Sequence, residues 1–299
     1  MSADSRTLVL KRLEGIDEIP TIPVVLNPLL RYLEQPLDTL DVHQVVDLIS
    51  QDKSLTSRCI YMANSPLFGR WQHVDSVRGA VVALGMQRMR DIALSCSVLS
   101  LLPRDTVSFD PVVFWEHSLG CALVCRQFAR KIGFADPGKA YLAGLLHDIG
   151  IVAHICVAPK EFAAAMEMAR QQHIPLHEAE DAVLGINHGE SGETVARRWK
   201  FPDDIIDVVA CHHDPLKAQG HRALVAVTGL SDLLCRMSGM GYGYSENRQI
   251  NFLEQPGFVL LVNECPQLRD FDWARFTFEL EAYMDEVHGL VNLLYRATA

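Results

Sequence analysis

The sequence predicts an all-α fold on three observations. Apolar residues recur at three- and four-residue spacing along most of the 299 residues. Helix-start and helix-stop residues punctuate those stretches, and no convincing strand or short-period repeat interrupts them. Hydrophobic residues make up 49% and charged residues 21%, which excludes a disordered chain and is ample for a sizeable core.

The elements follow in order. Residues 22–33 are apolar with two prolines near the start, as at a helix N-terminus. Asp41 is placed to cap a helix carrying Val42, Val45, Val46, Leu48 and Ile49. Residues 55–62 form the next, ending at the turn Asn64-Ser65-Pro66. Ser76 suits the N-cap of 77–84, and Gly85 its C-terminal stop. A helix over 87–101 runs into the breaker Leu102-Pro103-Arg104-Asp105. A long helix spans 111–133, and Asp136-Pro137 opens one that runs towards His147. Further helices are predicted over 159–173, 175–184, 190–199, 202–212 and 223–237. The glycine- and tyrosine-rich run 239–244 is a loop, followed by a short apolar piece at 258–262 and a long amphipathic helix at 273–294.

Charge narrows the functional classes. The formal net charge of -10 repels phosphate backbones, so a nucleic-acid polymer is not expected as a partner, although 45–64 has the outline of a helix-turn-helix. No uninterrupted apolar run approaches the ~20 residues of a membrane span, and the charged N-terminus does not resemble a signal peptide. The expectation is a cytoplasmic protein with no membrane partner. The eight cysteines include no Cys-x-x-Cys pair and read as small core hydrophobes.

The chemistry lies in histidines and aspartates. On its helix His117 shares a face with Phe114 and Cys121, so its imidazole points inward. His147-Asp148 sits between Tyr141-Leu142-Ala143-Gly144-Leu145-Leu146 and Ile149-Gly150-Ile151-Val152, where a carboxylate is costly unless paired or bound to a metal. His188 precedes a helix. His212-His213 ends one; adjacent helical side chains diverge by ~100°, so both line one pocket only if it wraps the helix end. Asp232 lies in an apolar helix, where the plain alternative is an i,i+4 salt bridge with Arg236. Imidazole and carboxylate ligands without thiolates suit a divalent transition metal rather than a structural zinc. A carboxylate among several histidines can bridge two ions, and such a pair clamps a phosphoryl group.

In His147-Asp148-Ile149-Gly150 the sequence resembles the HD superfamily of metal-dependent phosphohydrolases. Ile19-Pro20-Thr21-Ile22-Pro23, Ala63-Asn64-Ser65-Pro66-Leu67-Phe68, Ser76-Val77 with Ala80, Leu84-Gly85 and His212-His213-x-Pro215 resemble an HDOD domain, over about 19–237. The resemblance implies an all-α, HD-type helical bundle; with a subdomain boundary at the breaker 102–105, the chain is expected to form an N-terminal helical subdomain (1–105), a metal-binding core (106–240) and, beyond the resemblance, a C-terminal helical extension (241–299). The resemblance carries metal ligation onto His117, His147, Asp148 and Asp232. From the related HD-GYP phosphodiesterases it adds His188, His212 and His213. One or two divalent ions are implied, Fe or Mn first, then Zn, Ni or Co, with Asp148 as the bridging and catalytic carboxylate. Two departures argue against cyclic-di-GMP hydrolysis. Ile151 replaces a phosphate-contacting lysine, and no Gly-Tyr-Pro follows His213-Asp214-Pro215, the Gly-Tyr repeat near Tyr242 being too far along. Val113 likewise offers no carboxylate for a third metal.

Two functions remain open. One is a phosphohydrolase acting on a nucleotide or other phosphoester, with Lys53, Arg58, Arg70 and Arg78 as candidate phosphate contacts. The other is a non-catalytic regulatory module of bacterial signal transduction, in which the metal is structural or vestigial. The corresponding partners are a small phosphorylated ligand or a signalling protein. The stripe Phe276, Leu280, Met284, Val287, Val291 and Leu294 then reads either as a partner surface or as core packing.

Overall fold

A computed structural model describes residues 2–15, 28, 41–68, 73–99, 101, 109–247 and 250–296. The chain divides into two compact units, 1–21 with 102–273 and 22–101 with 274–299. Among the described residues there is no strand, so the all-α expectation holds. The segments expected as a helix at 22–33 and as a breaker at 102–105 fall, apart from Pro28, outside the described residues, as do Ile19-Pro20-Thr21-Ile22-Pro23 and Arg70.

The second unit contains α2 (Val42–Ser50), α3 (Lys53–Ala63), α4 (Val77–Leu84) and α5 (Met86–Val98). The caps expected at Asp41 and Ser76 are present, and Asp52 adds one beyond those expected from the sequence. Asp41 accepts from His43 N, Asp52 from Ser54 and Leu55 N, and Ser76 from Gly79 N. Gly85 takes φ 85°, a conformation that costs glycine little. Helices α3, α4 and α5 pack on one another around Leu55, Cys59, Met62, Ala80 and Met89. On the C-terminal helix α15 (Trp273–Arg296) the stripe Phe276, Leu280, Val287, Val291 and Leu294 is buried and Met284 half-buried, which is core packing.

The first unit holds α1 (Ser2–Glu14), α6 (Pro111–Lys131), α7 (Pro137–Leu146), α8 (Ile149–Val157), α9 (Pro159–Gln172), α10 (Leu176–Val183), α11 (His188–Arg198), α12 (Asp203–Cys211), α13 (Arg222–Met237) and α14 (Pro256–Glu264). Asp110-Pro111 and Asp136-Pro137 open α6 and α7, their carboxylates accepting from Val112 N and Lys139 N. Helix α6 packs along α7 and α13, α8 against α11, and α11 against α12. Arg6 on α1 ties that helix to the head of α11 through Gly185 O (2.9 Å) and Glu190 (2.6 Å).

Two glycines set the closeness of this packing. A Cβ on Gly150 would stand 1.8 Å from the carbonyl oxygen of His188, and one on Gly229 would stand 2.2 Å from that of His212. Backbone can therefore approach backbone where these histidines are held. The stretch Pro137–Val157 has the length and apolar composition of a membrane span, contrary to expectation. However, 89% of its most apolar window is buried, and its helix breaks at His147-Asp148, so its apolar side chains build the core of this unit.

Candidate metal centre

The seven residues selected from sequence all fall in the first unit. His117 comes from α6, and His147 and Asp148 occupy the break between α7 and α8. His188 heads α11, His212 and His213 follow the last turn of α12, and Asp232 lies on α13. Six are buried and His213 is half-buried. The helix ends before His212, which resolves the expected 100° divergence: both rings turn to the same side, with centroids 4.0 Å apart.

Asp148 organises the cluster. Its Oδ2 lies 3.4 Å from His117 Nε2 and 3.2 Å from His147 Nε2. Its Oδ1 lies 3.3 Å from His188 Nε2 and 3.5 Å from His212 Nε2. One carboxylate oxygen thus faces each pair of imidazoles. Asp232 Oδ1 joins the first pair at 3.3 Å from His117 Nε2, and His213 Nε2 joins the second at 2.8 Å from His188 Nε2.

The outer ring nitrogens explain why the inner ones are bare. His117 Nδ1 donates to Met240 O (2.6 Å), His147 Nδ1 to Gly144 O (2.8 Å) and His212 Nδ1 to Val209 O (3.1 Å). His188 Nδ1 donates to Glu180 Oε2 (2.6 Å). These partners only accept, so the proton of each neutral ring sits on Nδ1 and Nε2 presents a lone pair inward. Lone pairs then face each other at 3.3 Å (His117 and His147) and 3.4 Å (His188 and His212). Asp148 Oδ1 is buried without a hydrogen-bond partner. Apart from the Tyr242 hydroxyl, the atoms that converge here are mostly acceptors, and this set of nitrogens and carboxylate oxygens could hold a metal ion, fitting a transition metal.

Without a metal, protons take that place. Burial pushes His117 down, but Asp148 and Asp232 outweigh it and raise the group to about 10. Burial likewise opposes the charge on His188, yet Glu180 and Asp148 raise it to about 9. His212 and His213 are lowered, chiefly by burial. Burial also penalises the carboxylate of Asp148, but His147, His117 and His212 hold it well below the usual range. Asp232 is held low against its burial by Arg236 and His117. The alternative expected for Asp232 is present as well: Arg236 Nε and Nη2 grip its two oxygens, each at 2.9 Å.

Several residues at the centre are given no part in the site by sequence reasoning. Glu180 is fully buried and accepts hydrogen bonds from His188 Nδ1 and His154 Nδ1 (3.0 Å); burial opposes its charge, but His188 and His154 bring it to about 2. The Tyr242 hydroxyl donates to Asp148 Oδ2 at 2.5 Å, its ring 4.8 Å from that of His117. Cys121 Sγ lies 3.6 Å from His117 Nε2, and burial raises its thiol well above the ordinary value, so it stays protonated. His177 stacks on His213 at 3.9 Å. The spacing of Cys121 four residues after His117 is the one sequence signal among these. A cavity of about 660 Å³ opens on the cluster, lined by His177, His212, His213, Asp232, Arg236 and Glu246 among others. Of the phosphate contacts considered from sequence, Lys53 and Arg78 are exposed and Arg58 bonds Ser54, all in the second unit; the arginine that lines this cavity is Arg236.

A helical bundle whose helix junctions bring His147-Asp148 among four further histidines and a second aspartate defines an HD-type protein. The HDOD domain pattern matches residues 19–215, and the chain belongs to that family. An HDOD domain protein of unknown function from Geobacter sulfurreducens has a similar structure, with TM-score 0.84 and 29% identity over 98% of this chain and 99% of that one. A candidate phosphohydrolase from Shewanella amazonensis SB2B shares the fold at TM-score 0.72 and 21% identity, over 97% and 98%. An uncharacterised protein of Treponema pallidum is 24% identical over 225 residues, which span 75% of this chain and 43% of that relative.

Proposed function

We propose that this protein is an HDOD signalling protein that holds one or two divalent transition metals, Fe or Mn foremost, in a functional HD centre. The observation that carries this reading is the division of Asp148, one oxygen towards His117 and His147 and the other towards His188 and His212. Asp148 would bridge, with Asp232 completing one half and His213 the other. A metal pair bound there supplies Lewis acidity and charge neutralisation for phosphoryl transfer. The chain's own residues supply the rest. Backbone carbonyls and Glu180 fix the imidazoles, the Tyr242 phenol donates to Asp148, and the helix core keeps bulk water from the buried half.

The open cavity over His212, His213 and Asp232 favours hydrolysis of a small phosphoester over a purely structural metal. The test is turnover of p-nitrophenyl phosphate and bis-p-nitrophenyl phosphate by protein loaded anaerobically with Fe(II) or Mn(II). Turnover that vanishes in Asp148→Asn supports catalysis. Background turnover by the unaltered protein at full metal occupancy assigns the centre to the non-catalytic, partner-binding reading.

A further inference from the structure

The cavity over the centre is acidic. Glu178, Asp214, Asp232, Glu246 and Glu254 line it, and Arg236 is the one arginine or lysine among its described lining residues. Arg236 is largely enclosed, its side chain 12% exposed. Its fork is divided between two carboxylates of different origin. Nε and Nη2 hold Asp232 one turn earlier on the same rigid helix. Nη1 holds Glu246 Oε1, 2.5 Å away, from the loop that follows α13.

That loop is laid over the centre by contacts along its length. Met240 O accepts from His117 Nδ1, the Tyr242 hydroxyl reaches Asp148, and the Tyr244 hydroxyl donates to Ile174 O at 2.9 Å. Asn247 N donates to His173 O at 2.9 Å. Gly239 and Gly243, with φ of 88° and 81°, provide the turns. Glu246 is thereby delivered to the edge of the guanidinium that Asp232 leaves open.

We infer that Arg236 is the phosphate-contacting residue of this site and that Glu246 occupies the phosphate position as an internal anion. The inference rests on the metal-centre reading above, because it assigns the anion that this centre would receive. The Asp232 contact fixes the guanidinium, so its open Nη1 edge is preorganised for an oxyanion. A phosphate oxygen offers the same negative acceptor as Glu246 Oε1 and can replace it. The remaining carboxylates of the cavity repel extended polyanions, which narrows the ligand class to a compact terminal phosphate monoester.

The test is titration of the full-length protein with inorganic phosphate by calorimetry, with metal content and melting temperature read on every sample. Glu246→Gln removes the competing charge and keeps the side-chain shape. It is expected to bind phosphate about tenfold or more tightly than the unaltered protein, the scale of one charge-assisted hydrogen bond. Adding Arg236→Lys, which keeps the charge beside Asp232 but loses the fork, is expected to cancel most of that gain. Affinities within about twofold of each other at equal metal content overturn the Arg236 assignment and leave the metal centre standing. A gain in Glu246→Gln with no metal in any sample keeps the assignment and overturns the metal reading. No gain and no metal overturns both.

Discussion

Asp148 is a carboxylate in a core that should exclude one, and its cost is offset only by what surrounds it. An unpaired buried charge costs several kcal/mol, so four imidazole nitrogens and the Tyr242 hydroxyl at this one group amount to a built electrostatic site. The sign of the pH dependence follows from the histidines. His117 and His188 are raised to about 10 and about 9 in the metal-free protein, above the ordinary imidazole value, so both carry protons at pH 7. Metal ligation takes the neutral ring, so uptake releases those protons. Calorimetry at pH 7 in buffers of different ionisation enthalpy is expected to read about two protons released per filled centre, with affinity climbing as pH rises towards 9. Uptake without proton release contradicts this assignment. Glu180 makes a second residue-scale prediction. It orients His188 and sharpens its basicity through a 2.6 Å hydrogen bond, so Glu180→Gln is expected to weaken metal binding by about 10- to 100-fold in chelator competition. Unchanged affinity would leave Glu180 a packing residue.

At the scale of elements, helix starts were the most legible features of the sequence. Asp41, Ser76, Asp136-Pro137 and Gly85 stand where the chain's turns of helix begin and end, because capping is local chemistry between residues two to four apart. The inward set of histidines and aspartates was legible for a similar reason: charge inside an apolar helical run is conspicuous in one dimension. Three features were not. Tyr242 meets Asp148 across 94 positions of sequence, and nothing in a glycine-rich loop announces where it lands. Glu180 lies in a run of acidic residues that reads as solvated surface, whereas its helix turns it fully inward. The convergence of His212 and His213 depended on where α12 stops, a boundary that periodicity cannot fix to the residue. The glycines at helix contacts carry an element-scale prediction. Gly150→Ala would force α8 from α11 at His188. It is expected to cost about 1–3 kcal/mol in urea unfolding and to lower metal occupancy with it. A stable variant with full occupancy would show that α8 and α11 tolerate separation without disturbing the centre.

For the whole molecule, the bundle gathers a candidate metal centre from helix junctions and helix interiors. Five helices or helix junctions each contribute one or two side chains, so no single element holds the site and the fold of the first unit is its precondition. The HDOD family assignment and the likeness to the Geobacter sulfurreducens structure are consistent with that architecture. The acidic chain, at net charge -10, attracts divalent cations and disfavours long polyanions, so its electrostatics agree with the proposed ligand class. The central claim is that Asp148 bridges a resident metal, and elemental analysis of protein purified without added metal or chelator, beside Asp148→Ala, tests it most directly. One or two equivalents of transition metal per chain, lost in a variant that still folds by circular dichroism, is the expected result. Equal metal in both proteins, or none in either after anaerobic reconstitution with iron and manganese, would contradict it.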